Sequence, residues 1–303
     1  TGKMAKVSAN GIEIAYDEFG AKDAPAVLMI MGLGAQLVRW PMSLVDALVA
    51  RGYRVIRFDN RDCGLSTKFD AAGTPSLALM AVSRVLRRPV RAPYSLSDMA
   101  ADAAGLLDAL GIERAHIMGA SMGGMIAQLF AANWPERTLS LTSIMSSTGN
   151  PALPGASLQA MAILLRRPRG SDPAAIVAHG VKASKVVGAR FQENEALMAE
   201  RYREEVTRNH EPAGFIRQMA AILADGDRRE RLKTITAPTV VVHGVDDPLV
   251  PIAGGRDTAA SIRGARLVEV PGMGHTLPPQ VIPAVVAAFE SVARPADRFA
   301  RAA

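Results

Sequence analysis

The chain has a single cysteine, Cys63, in 303 residues. No internal disulfide can form, which fits a reducing compartment. Cys63 sits in a turn segment with no patterned histidine partner, and reads as a turn or core residue. Aromatic residues make up only 5% of the sequence. The stacking platform that single-stranded nucleic acid needs is therefore missing. No apolar run reaches the roughly 20 residues that cross a bilayer. No apolar stretch follows Thr1-Gly2-Lys3-Met4, so the opening does not read as a signal peptide. Residues 1–3 look like a tag remnant, and a cytoplasmic protein is expected. There are five histidines, and His179 and His210 lack ligand-spaced partners, so neither a metal nor a cofactor is implied. The net charge of +6 is spread out, apart from Arg84, Arg87, Arg88 and Arg91. It reads as surface solvation. Arg166 and Arg167 read the same way, as an exposed helix face.

What is present is apolar and ordered. Hydrophobic residues make up 49% of the chain, enough to bury a large core. The length suits one α/β core carrying an insertion. Asn10-Gly11 between alternating runs predicts a hairpin. A continuous apolar run at 26–31 predicts a strand buried on both faces, and further strands are expected at 53–58, 115–118, 139–145 and 239–244. A last strand is expected at 266–270. Between them lie helical stretches at 41–50, 76–86 and 97–110, the last capped by Ser97 and ended by Gly111. A closing helix is expected at 282–292, with a frayed tail after Arg294. From 149 to 233 no buried strand is apparent. Helices are expected there at 157–165, 173–186, 195–208 and 212–223. Strands alternating with helices imply a mostly parallel sheet flanked by helices. Residues 4–148 and 234–294 would form an eight-stranded core, and 149–233 an inserted helical cap.

One pentapeptide carries chemistry. Gly119-Ala120-Ser121-Met122-Gly123 lies between a buried strand and a helix. In that setting G-x-S-x-G reads as a nucleophile elbow, with small residues around a strained serine. A serine needs a base and the base an orienting acid. In the chain order Ser, acid, His, the base is His275, in Pro271-Gly272-Met273-Gly274-His275 after the last strand. The acid comes from Asp246-Asp247-Pro248, and Asp247 is favoured on motif position. His243 and His116 read as structural. The oxyanion donors are assigned to the N–H groups of Met122 and Leu33, the latter in Met31-Gly32-Leu33-Gly34. Gly32 and Gly34 allow close approach there. Met161 and Met219, at helical spacing in the insertion, are candidate pocket residues with Gly32 and Gly34.

These separated motifs together resemble the α/β-hydrolase fold superfamily over nearly the whole chain. Phe58 to Ser66 is similar to a turn typical of that family, whose commoner form has glycine where Asp62 stands. Met31-Gly32, Trp40-Pro41 and the run from Pro271 to His275 before Leu277-Pro278 are similar to the aclacinomycin methylesterase group. That resemblance implies a methyl ester on a bulky polycyclic compound. The expectation is carboxylic ester hydrolysis through an acyl-enzyme on a small, hydrophobic ester. A C–C bond hydrolase or a cofactor-free perhydrolase would use the same residues, and a slow-turnover ligand receptor would keep them. No nucleic acid and no membrane span are expected, and a homodimer is left open.

Overall fold

A computed structural model describes residues 2, 4–86, 88–166, 168 and 172–302. Thr1, Lys3, Arg87 and Arg167 lie outside the described residues. The chain opens with strands β1 (Ala5–Ala9) and β2 (Ile12–Phe19), an antiparallel hairpin. Asn10 and Gly11 both hold positive φ, at 47° and 76°. That pair matches the twist of a two-residue hairpin turn. Next come β3 (Ala26–Ile30), α1 (Met42–Val49), β4 (Arg54–Phe58), α2 (Leu77–Val85) and α3 (Leu96–Ala109). Then β5 (Ala115–Ala120), α4 (Met122–Asn133) and β6 (Thr138–Ile144) complete the first half. Four helices are inserted before the next strand: α5 (Leu158–Leu165), α6 (Pro173–Val187), α7 (Glu195–Arg208) and α8 (Pro212–Asp225). The short α9 (Arg229–Leu232) leads into β7 (Thr239–Gly244), α10 (Ile252–Ser261), β8 (Arg266–Val270) and α11 (Ile282–Ala302).

The strands form one eight-stranded sheet, ordered β1-β2-β4-β3-β5-β6-β7-β8. Every pairing from β4 to β8 is parallel, while β1 and β2 run antiparallel. Alternate side chains of each strand enter opposite layers. Leu28, Ile30, Ile56 and Ile117 join the layer under α3 and α4. Val27, Met29, Val55 and Met118 join the layer under α1 and α11. Both faces of the central strands are buried, which is why β3 reads as an unbroken apolar run. Helices α5–α8 form an insertion consistent with a cap.

Two expectations need correction, and one helix leaves no mark in the sequence. The α3 cap is Ser95, which forms a reciprocal capping box with Asp98. Ser97 lies inside the helix, because the acidic partner three residues after Ser95 completes that box. Helix α10 was not anticipated, because its sequence, with two glycines and no strong apolar stripe, hides the period. The tail after Arg294 is helical rather than frayed. Asp297 holds it, accepting from the Tyr53 hydroxyl at 3.0 Å and lying 3.0 Å from His116 Nε2.

Candidate active site

The candidate residues gather at the C-terminal edge of the sheet, where loops from parallel strands converge. Ser121 follows β5 at the N-cap of α4, with φ 58° and ψ −121°. This is a sparsely populated conformation for a residue with a Cβ, costing about 1–3 kcal/mol. Packing enforces it. A Cβ on Gly119 would collide with the Gly123 carbonyl, and one on Gly123 with that of Ile30. Only glycine lets α4 start so close to β5 and β3. Ser121 N–H donates to Ile144 O at 2.9 Å, and its carbonyl accepts from Ser146 Oγ at 2.7 Å. The backbone is pinned on both sides while the side chain faces the cavity.

His275 approaches from the loop after β8. Its Nε2 lies 2.9 Å from Ser121 Oγ, and its Nδ1 lies 2.7 Å from Asp247 Oδ2. An ionised carboxylate only accepts, so Nδ1 carries the hydrogen and Nε2 is free to accept from the serine. Asp247 is buried, and its other oxygen accepts from the N–H groups of Leu249 and Val250, at 2.9 and 2.8 Å. Asp246 turns away from the imidazole, accepts from the Gly272 N–H at 2.7 Å and so tethers the histidine loop. That loop is also held from the insertion. His275 N–H donates to Val187 O at 2.7 Å, at the end of α6, and Phe191 N–H donates to Gly272 O at 3.1 Å.

The loop after β3 covers the serine. A Cβ on Gly32 would lie 3.1 Å from Ser121 Cβ, so a side chain there would crowd the hydroxyl. Met122 is the first residue of α4, where an N–H has no acceptor within the helix. Gly34 holds φ 65° with Phe215 of α8 against it. Its N–H donates to Gln218 Oε1 at 2.8 Å, while Gln218 Nε2 donates to Arg61 O at 2.7 Å. A fully buried glutamine of the insertion thus holds the loop that carries Leu33.

Sequence reasoning missed Gln218, although a signal was there. Phe215, Met219 and Ile222 form an apolar stripe, and Gln218 interrupts it at helical spacing. It also missed Arg217, whose guanidinium grips Asp62 through two bonds of 2.8 Å. Asp62 holds φ 66°, which explains why glycine is commoner there. Its carboxylate also accepts from Tyr94 Oη at 2.7 Å and Phe69 N–H at 2.8 Å. These bonds offset the strain and dock α8 on the turn after β4. Arg208 of α7 similarly reaches buried Asp59, at 2.9 Å. Arg39 pairs with Glu205 and stacks on Tyr202, tying α7 to the segment after β3.

The remaining candidates fall in place around this frame. His243 is buried at the end of β7, with Nε2 2.7 Å from Val250 O, and burial lowers its pKa. His116 is buried between Ser140 and Asp297. Cys63 is buried, which pushes its thiol pKa well up. A cavity of about 1040 Å³ opens over Ser121 and His275. Leu33, Gly34, Met161 and Met219 line it, as do His179 and His210 of the insertion. Its size reaches the upper end of the range for small-molecule sites.

A model of the alpha/beta hydrolase fold family matches residues 25–279. The chain belongs to that family. It is 30% identical to a rhodomycin D methylesterase of a Streptomyces species, covering 84% of this chain and 86% of that protein. It is likewise 30% identical to a 2-hydroxy-6-oxononadienedioate/2-hydroxy-6-oxononatrienedioate hydrolase of Paraburkholderia xenovorans, covering 87% and 84%. Among solved structures, a hydrolase from Pseudomonas aeruginosa superposes with a TM-score of 0.70 at 27% identity, covering 96% of this chain and 98% of that one. The methylesterase match agrees with the resemblance carried by Met31-Gly32 and Trp40-Pro41.

Proposed function

We propose that the protein hydrolyses carboxylic esters through an acyl-enzyme formed on Ser121. The observation that carries this reading is the continuous hydrogen-bonded chain from Asp247 through His275 to Ser121. His275 Nε2 accepts the hydroxyl proton while Oγ attacks the ester carbonyl. Asp247 keeps the imidazole in the required tautomer and stabilises its charged form. The N–H groups of Met122 and Leu33 receive the developing negative oxygen. His275 returns the proton to the leaving alcohol, then activates a water that releases the acid. Residues 149–233 act as the cap that closes the cavity and selects the substrate.

The size of the cavity and the rhodomycin D methylesterase relatives support a small alcohol, such as methanol, esterified to a bulky hydrophobic acid. A panel of esters graded in acyl bulk and leaving group tests this. Methyl esters of polycyclic acids should turn over with the highest kcat/KM, and Ser121→Ala should lower hydrolysis by at least about 10⁴-fold. Wild-type rates in that variant would remove the nucleophile. The Paraburkholderia relative supports a second reading, C–C bond hydrolysis with the same residues. Turnover of a vinylogous diketone acid, with none of any ester, would select it.

A further inference from the structure

Two helices at the cavity opening are built with their outward faces apolar. In α2, Met80 is the one buried side chain. The opposite face, which a solvated helix fills with polar residues, carries Leu79, Val82, Val85 and the following Leu86, between 51% and 82% exposed. In α5, Ala160 and Ile163 are buried, and Leu158, Met161 and Leu165 point outward, Leu158 at 91% exposure. The exposed sets share one spacing: 79, 82, 86 and 158, 161, 165. Each repeats at i, i+3, i+7, a single helical stripe. Eight of the eleven large apolar side chains exposed among the described residues lie on these two segments.

Their charge is of one sign. No Asp or Glu occurs between Asp70 and Asp98, or between Glu136 and Asp172. Arg84, Arg88, Arg91 and Arg166 are exposed on or just beyond the two helices. Leu77 and Arg84 of α2, with Met161 and Leu165 of α5, are exposed and also line the cavity. The two stripes therefore flank its opening.

We propose that α2 and α5 dock the protein on an anionic lipid surface, with the cavity opening toward the bilayer. Outward leucine and valine insert among the acyl chains, and the arginines meet lipid phosphates. That pairing of apolar face and basic residues is what interfacial helices use. A second copy of the chain fits less well, since a symmetric contact would set the arginines against one another. A protein partner is disfavoured because neither segment carries Phe, Trp or Tyr, the residues that dominate protein contacts. A hydrophobic ester dissolved in the lipid would then reach Ser121 without crossing water. That route rests on the hydrolase reading, but lipid binding itself does not.

The test is co-sedimentation of the full chain with vesicles of phosphatidylcholine, alone or mixed equally with phosphatidylglycerol. Binding to the mixed vesicles is expected, weakened about tenfold or more by omission of phosphatidylglycerol or by high salt. The combined substitutions Leu79→Ser, Val82→Ser and Leu158→Ser should also weaken it about tenfold or more. Arg88→Gln with Arg166→Gln should reduce it on anionic vesicles only. Turnover of a water-soluble ester should stay at the parent level in both variants, since none of these residues lines the cavity. Ser121→Ala should bind vesicles like the parent, so lipid docking and hydrolysis succeed or fail separately. Absence of binding to any vesicle overturns the proposal. So does a concentration-dependent dimer in sedimentation velocity that the three serine substitutions abolish.

Discussion

At the scale of single residues, two adjacent aspartates divide the work. Asp247 faces His275 from a buried position with its second oxygen already saturated by two backbone donors. The Asp246 carboxylate accepts from the Gly272 N–H, and its own N–H donates to Met273 O, so it holds the loop. Asp247→Asn should lower kcat by about 10³–10⁴-fold, because an amide nitrogen facing Nδ1 favours the wrong tautomer. Asp246→Asn should cost less than about tenfold, since the amide oxygen still accepts from Gly272. Steady-state kinetics on one soluble ester compare the two, and the opposite order would exchange their roles. Gln218 acts through the loop rather than on the substrate. Gln218→Ala frees the Gly34 N–H and should lower kcat about tenfold with little change in KM. Affinity for a boronic acid mimicking the tetrahedral intermediate should fall by a similar factor. A purely structural role would shift the melting temperature and leave that affinity intact.

At the scale of elements, the inserted helices are bolted to the turn after β4. Asp62 pairs with Arg217 and Asp59 with Arg208, and all four groups are largely removed from solvent. Removing one partner of such a pair leaves an uncompensated buried charge, at a cost of about 3–5 kcal/mol. Arg217→Ala should therefore destabilise the protein by about 3 kcal/mol, near the lower end because Tyr94 and Phe69 still bind Asp62. Urea unfolding measures it, and a loss under about 1 kcal/mol would show that α8 is held by apolar packing alone. Asp62→Gly should relieve the positive φ yet still destabilise, because Arg217 would lose its main acceptor. The motif position of Asp62 was legible in the sequence. Its reason for not being glycine was not, because the arginine that needs it lies 155 residues further on.

At the scale of the whole molecule, one buried histidine links folding to pH. Burial lowers the pKa of His243 below its ordinary 6.5. Between the folded and unfolded values the unfolded chain binds a proton that the native chain refuses. Stability from this group is complete above about pH 6.5 and declines as pH falls below it. The melting temperature should therefore drop on acidification, and His243→Gln should make that drop shallower. An equal drop in both proteins would assign the acid sensitivity to carboxylates instead. At the same scale the fold was largely readable. The Asn10-Gly11 turn, the two-sided apolar strands and the gap in strand pattern from 149 to 233 pointed to the sheet and the insertion. The missing helix α10 and the misplaced α3 cap reflect signals too local or too weak to outrank neighbours.

The sequence by itself determined the strand and helix periods, the glycine-rich elbow around Ser121 and the chain order of serine, acid and histidine. These are short-range properties, set by backbone sterics and by which faces must be apolar. Only the tertiary structure decided which aspartate meets His275, that Gln218 holds the loop of Leu33, and that α2 and α5 turn apolar stripes outward. Those outcomes depend on pairs distant in the chain, such as Ser121 and His275, 154 residues apart. Their meeting is fixed by sheet order and packing, which local patterns do not encode.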